Sequence, residues 1–207
     1  MRSMRILLFE IKEDAMRIKE FSDIRMGHAF RSRLANVPGG NVLVIQPKNI
    51  LPDGSICFGD DEPLKTDVPA SRPLAPKDVL VVNRGRFAAA VFEPRDSAKW
   101  IVPSSILVLS ITNQSVLPEY VACYLNSTNG QRLFSRHCEQ TTIPFIGAGN
   151  LGRMSIPVPS LERQQALIAC GAFVTRYAQL TKRKQELCKQ ILDHELNQHE
   201  QSTGRRI

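Results

Sequence analysis

The 207-residue sequence has no uninterrupted apolar run approaching the roughly 18 residues of a membrane span. Its N-terminal apolar patch, Ile6 to Phe9, meets charged residues too soon for a signal peptide. Five cysteines (Cys57, Cys123, Cys138, Cys170 and Cys188) are odd in number and form no CxxC pair, which argues against a disulfide framework and against a zinc ribbon. Glycine, at 12 residues, and proline, at 13, are too few for a fibrous or low-complexity chain. These absences predict a cytoplasmic globular protein with reduced thiols.

Catalytic signatures are missing as well. There is no Walker loop, no Gly-x-Ser-x-Gly elbow and no Cys/His nucleophile arrangement. Gly147-Ala148-Gly149-Asn150-Leu151-Gly152 spells G-x-G-x-x-G, and Phe145 just before it suggests a methyl-donor loop. Such a loop needs a strand before it and a helix starting within it, whereas Pro144 precedes and Arg153 to Pro159 cannot be a helix. The hexapeptide is therefore expected to be a tight turn without a cofactor. An Asn-Pro-Pro-Tyr type adenine pocket is absent too.

His194-Glu195 with His199 imitates a zinc-protease motif, but the second histidine is one residue too far. Five residues turn a regular helix by about 500°, leaving the rings about 140° apart. Asp53, Glu62 and Lys65 approach a magnesium-nuclease pattern without a strand to position them. No enzyme, metal or cofactor is expected.

What is present begins with charge: 27 Lys+Arg against 20 Asp+Glu give +7, consistent with a mixed solvated surface or with a polyanion partner. Short apolar runs at 42–45, 55–58, 79–82, 87–92 and 106–111 end at turn residues and read as strands. The acidic, proline-containing stretch 60–76 reads as an irregular loop. Pro118-Glu119-Tyr120 opens a helical pattern that Asn126 to Gly130 splits in two. The mixture predicts an α+β domain, mixed or antiparallel in its sheets.

After Pro157 to Ser160 no proline occurs. Ala166, Cys170, Phe173, Tyr177, Leu180, Lys184, Leu187, Ile191 and His194 alternate by four and three residues, as a heptad seam does. At about 1.5 Å per residue the seam is about 43 Å long, more than one compact domain covers, so part of it wants a partner helix. The alternative is a terminal helix packed along its own domain.

Two basic clusters stand out. Arg25, His28, Arg31 and Arg33 surround Gly27 and Phe30, and Asn83-Arg84-Gly85-Arg86 follows a strand; Gln140-Thr141-Thr142 adds neutral donors. Arginine forks suit phosphates and guanine edges, and amides suit adenine. Surface solubility explains the same clusters equally well on spacing alone.

Five segments in order resemble the DNA specificity subunit of type I restriction-modification systems: KEFSDIRMGHAF (19–30), VIQPKNILPDGSI (44–56), LAPKDVLVVNRG (74–85), LPEYVACYLNSTNGQRLF (117–134) and IPFIGAGNLGRMSIPVPSLERQQALI (143–168). The likeness spans residues 18 to 192. It implies a non-catalytic, DNA-reading subunit whose partners methylate adenine and cleave, a structural glycine-rich turn, and a long helix after the last motif. The family's full subunit has two recognition domains and two helices in an antiparallel coiled coil, whereas this chain has one of each. Lys77 stands where the family usually has glycine, and Gln164-Gln165 replaces the usual Glu-Gln.

The expectation is a half-size specificity subunit: a target recognition domain at 1–158, a dimerising helix at 159–196 and a frayed tail at 197–207. Phe173, Tyr177, Leu180, Leu187 and Ile191 are expected to join two copies about a two-fold axis, each reading one of two inverted half-sites. Arg25, His28, Arg31, Arg33, Asn83, Arg84, Arg86, Thr141 and Thr142 are the expected contacts to double-stranded DNA, with modification and restriction subunits as partners. The rival reading is an interaction module that binds the modification subunit without reading DNA.

Overall fold

The computed structural model describes residues 15–31, 34–59, 62–68, 72–94, 96–139 and 142–203, with side chains to 196. It divides into two units, one reaching to Leu167 and the other running from Ile168 onward. In chain order the first unit holds β1 (Ala15–Arg17), α1 (Ile18–Phe21), β2 (Ser22–Met26), β3 (Val42–Val44), β4 (Leu64–Thr66), β5 (Val79–Val82), β6 (Ala89–Val91), β7 (Trp100–Ile101), β8 (Ile106–Ile111), α2 (Pro118–Asn126), α3 (Thr128–His137), α4 (Ala148–Arg153) and β9 (Ser155–Pro157). Helix α5 (Leu161–Thr203) begins in it and makes up the second unit. The architecture is α+β, with a long C-terminal helix.

The main sheet has the order β2-β8-β5-β6 and is antiparallel throughout; a smaller sheet, β4-β3-β7, pairs β3 with β7 in parallel. Strand β5 is apolar along its length because both its faces are covered. On one face Leu80, Val82, Ala90, Ile106 and Val108 share a core with Leu43 and Trp100 of the smaller sheet and with Ile45 and Val102 just beyond its strands. Helix α2 packs against β5 and β6. Alternate residues such as Val79, Val81, Leu107 and Leu109 are also fully buried.

The break between α2 and α3 comes at Ser127, whose hydroxyl accepts from the Gly130 amide at 3.2 Å and caps α3. A Cβ on Gly130 would lie 2.2 Å from the Tyr124 carbonyl oxygen, so the corner needs glycine. Asn126 at the end of α2 accepts from the Ala89 amide at 2.8 Å and donates to the Ala89 carbonyl at 2.7 Å, pairing with β6 as another strand would.

Three expectations meet a different structure. Part of the acidic stretch, Leu64–Thr66, forms edge strand β4, pairing with β3, while 55–58 contributes only the isolated bridge Ile50 to Ile56. The glycine hexapeptide is a short helix, α4, rather than a tight turn. It turns at Met154 into β9, which pairs with β1, and it buries Leu151 and Gly152. Gly152 lies so close to α1 and β2 that a Cβ would sit 3.2 Å from the Ile24 side chain. Helix α5 continues through Thr203.

The start of α5 is fixed within the first unit by Gln164, which has no exposure. Its Oε1 accepts from the Leu117 amide at 2.9 Å, and its Nε2 donates to the Ser115 and Pro159 carbonyls, both at 2.8 Å. No helix among the described residues is long and apolar enough to cross a membrane.

Candidate nucleic-acid interface

The two basic clusters, more than fifty residues apart in sequence, meet at one end of the main sheet. Met26 and Val81 both stand opposite Leu107, so the chain leaves β2 and β5 at the same end. Beyond them the loops are tied to one turn: the His28 amide donates to Val102, the Ser104 amide to His28, and the Asn83 amide to Ser105. Gly27 makes this possible, because a Cβ there would lie 2.2 Å from the Pro103 carbonyl oxygen.

Arg25 lines an open cleft with Met26, His28 and Arg72, yet its donors turn inward. Its backbone stands opposite Val108, but its guanidinium donates to the Arg72 and Pro73 carbonyls, at 3.3 and 3.0 Å, and to the buried Asp78 at 3.4 Å. Asp78 also accepts from the Ala75 amide and the Ser110 hydroxyl. Burial lowers the Arg25 pKa from its ordinary value, with Asp78 opposing that shift and Arg72 reinforcing it. Arg25 and Asp78 thus stitch β2 and β8 to the segment before β5.

Asn83 is 1% exposed and donates to the Ser104 carbonyl at 3.2 Å, and Arg86 donates to the Ile50 carbonyl at 3.1 Å. Arg86 is otherwise exposed, and the Asn83 Oδ1 is buried with no partner among the described residues. Arg33 and Thr141 lie outside the described residues. His28 is half-buried with its ring against Phe30, centroids 4.6 Å apart; Arg31, Arg84 and Thr142 are exposed.

Arg84 stands on a small ledge. The Gly85 amide donates to Pro144 and the Ile146 amide to Asn83, while the Glu139 amide donates to Phe145 from the other side. Phe145 is thus bridged to both Arg84 and Glu139. Gly85 has φ +75°, a left-handed turn that glycine adopts without strain. The Arg84 guanidinium carbon lies 5.3 Å from the Phe145 ring centroid, a cation–π contact. Arg84, Glu139, Thr142, Ile143 and Phe145 line an open cleft of about 290 Å3.

Sequence reasoning missed Phe145, Ile143, Glu139 and Met26. Outside α5, Met26 (53%) and Ile143 (52%) are the large apolar side chains exposed among the described residues, and both lie at this end of the sheet. An apolar residue followed by proline gave no signal that it would face outward.

Helix α5 is a second candidate surface. Phe173 is 71% exposed, and Tyr177, Leu180, Leu187 and Ile191 are also exposed, as the heptad seam requires of an unpaired helix. Val174 adjoins the seam, whereas Leu192 and Leu196, about 100° and 140° round the helix from Ile191, are exposed away from it. Phe173 and Tyr177 stack with centroids 6.4 Å apart.

No family model and no curated protein matches the chain. Solved structures do. A chain from a study of complex assembly and conformational transition in a type I restriction-modification system matches with TM-score 0.61 at 22% identity, over 83% of this chain and 40% of that one. The HsdS subunit of Thermoanaerobacter tengcongensis matches at 0.59 and 21%, over 83% and 39%. The type I restriction-modification S subunit from M. genitalium matches at 0.52 and 15%, over 82% and 41%. The chain therefore shares its fold with these proteins and spans about 40% of their length.

Proposed function

We propose that this chain reads double-stranded DNA as the specificity component of a type I restriction-modification complex, without catalysing a reaction itself. The observation that carries this reading is the convergence of His28, Arg84 and Thr142 with exposed Met26 and Ile143 at one end of a sheet whose fold is shared with such subunits, with exposed Arg31 three residues beyond His28. Cations attract phosphates at long range, and apolar and forked side chains suit base edges. Arg33 and Thr141 belong to the proposed contact set by their place in the sequence. Arg25, Asn83 and Arg86 serve as its supports, holding the loops that carry the others.

In this reading two copies pair antiparallel through Phe173, Tyr177, Leu180, Leu187 and Ile191, placing one reading head at each end and selecting inverted half-sites. Lys184, in the seam, sets the register. Partner modification and restriction subunits supply adenine methylation and cleavage, and the work is done in the cytoplasm. A second reading is favoured by Leu192 and Leu196: apolar residues exposed away from the two-stranded seam suit a helix from a modification subunit.

Duplex binding measured against salt decides between them. Four phosphate contacts weaken binding on the order of a hundredfold between 50 and 200 mM salt. A flat dependence would remove the DNA reading and leave the interaction module. Light scattering tests the pairing: a monomer at micromolar concentration overturns the symmetric dimer.

A further inference from the structure

We propose that Arg84 and Glu139 together read one G·C base pair, with Phe145 holding the arginine in place and Ile143 packing on the methyl of a neighbouring thymine. This rests on the DNA reading above and assigns the bases that the ledge selects.

The composition of the cleft argues for a base edge over a phosphate. A phosphate site gathers cations and amide donors. This one sets a carboxylate, Glu139, and a half-exposed isoleucine beside its single arginine. A phosphate would be repelled by the first and would gain nothing from the second. A G·C pair in the major groove instead offers the guanine O6 and N7 acceptors together with the cytosine N4 amino donor. Arginine matches the acceptors bidentately, and a carboxylate matches the donor.

The arginine is also suitably held. Among the described residues neither a carboxylate nor another acceptor takes up the donors of the Arg84 guanidinium. Stacking on Phe145 restricts the guanidinium while leaving the edge of its planar fork to a ligand. The backbone below cannot drift, because Asn83 and Gly85 bond to the Pro144–Ile146 segment that carries the ring. Ile143 projects beside it, and an apolar side chain in a groove finds its partner in the thymine methyl.

The test uses the full chain. Selection from random duplexes defines the half-site, and fluorescence anisotropy then compares the selected duplex with every single-pair variant. We expect the wild type to prefer G·C at one position by about tenfold or more. Arg84→Lys and Arg84→Ala should both cut that preference below about threefold, leaving other positions unchanged. Arg84→Lys should bind random duplex within about twofold of wild type, since its charge is kept. Phe145→Leu should weaken discrimination at the same position only, a result that a loss of folding stability does not produce. Glu139→Ala should lower the same preference while strengthening binding to random duplex. Replacing thymine by uracil next to that pair should weaken wild-type binding about fourfold, the value of one methyl, and leave Ile143→Ala unaffected.

The failures are distinct. If the wild type selects no sequence and binds independently of salt, the DNA reading fails and takes this assignment with it. If it selects a site and Arg84→Lys keeps full discrimination, or Arg84→Ala weakens all duplexes equally and lysine restores them, Arg84 contacts phosphate. The assignment is then overturned while the DNA reading stands.

Discussion

Arg25 and Arg84 stand two strands apart in one sheet, on β2 and just beyond β5, and each belongs to a basic cluster of similar appearance in the sequence. Their neighbours make them different. Arg25 finds a buried aspartate and two carbonyls, so its charge is paired and its two terminal nitrogens are engaged inside the domain, while its buried Nε has no partner among the described residues. Arg84 finds an aromatic face, which positions a guanidinium without neutralising it. Whether an arginine at a sheet end supports a surface or forms it is decided by the segment packed against it, here Pro73–Asp78 in one case and Pro144–Ile146 in the other.

The sharpest way to break this comparison is to remove the aspartate. Asp78→Ala strands the Arg25 guanidinium, the Ala75 amide and the Ser110 hydroxyl together, and we expect unfolding free energy in urea to fall by about 3 kcal/mol. Arg25→Met leaves Asp78 two of its donors and should cost about half as much. Arg84→Ala should lie within about 0.5 kcal/mol of wild type, as exposed substitutions do. If Arg25→Met leaves the urea midpoint unmoved and weakens duplex binding as Arg84→Ala does, the two arginines have the same role and the distinction is lost.

Gln164 extends the inward class to an amide. Gln164→Glu exchanges a donor of two hydrogen bonds for a carboxylate facing the Ser115 and Pro159 carbonyls, at an expected cost of about 2 kcal/mol at pH 7. Burial raises the folded-state pKa of the introduced carboxyl above its unfolded value. A raised group favours folding below the unfolded pKa and loses that contribution as pH rises through the folded one, so the deficit should shrink toward pH 4. A deficit that is constant with pH would mean that the carboxylate escapes to solvent, and that Gln164 is not the anchor of α5.

The fold was legible in the sequence where burial leaves a periodic trace. Strands β3, β5, β6 and β8, the α2/α3 break at Ser127 and the exposed seam of α5 all follow from apolar runs, turn residues or heptads. Strand β4 was hidden because an edge strand needs no apolar run when only one side is paired. Helix α4 was hidden because four glycine and alanine residues imitate a turn, and only burial of Leu151 against the domain makes them helical. At the candidate interface, residue type marked Arg84 and Thr142 but equally Arg25 and Asn83. Spacing cannot tell an engaged side chain from an exposed one, since Asp78 and Phe145 reach these arginines through the fold.

Lys77 gives the smallest and most outward case. It stands at φ 68°, a left-handed conformation that favours glycine, and its ammonium bonds Glu119 and Glu93, both at 2.6 Å. Those hydrogen bonds raise the Lys77 pKa. Burial pushes the Glu119 carboxyl up, but the bond from Lys77 and the other contacts outweigh it, leaving the pKa below its usual value. A lowered carboxyl favours folding above its unfolded pKa and loses that contribution as pH falls through its folded one; a raised lysine loses its contribution only in strong alkali. Lys77→Met keeps the Cβ, and with it the backbone strain, so the comparison with wild type isolates the charge. The side chains are substantially exposed, so the difference at pH 7 should be below about 1 kcal/mol and should vanish in acid once Glu119 is protonated. A difference that persists undiminished in acid would place the effect in packing of the lysine stem, and would make Lys77 an inward residue like Arg25.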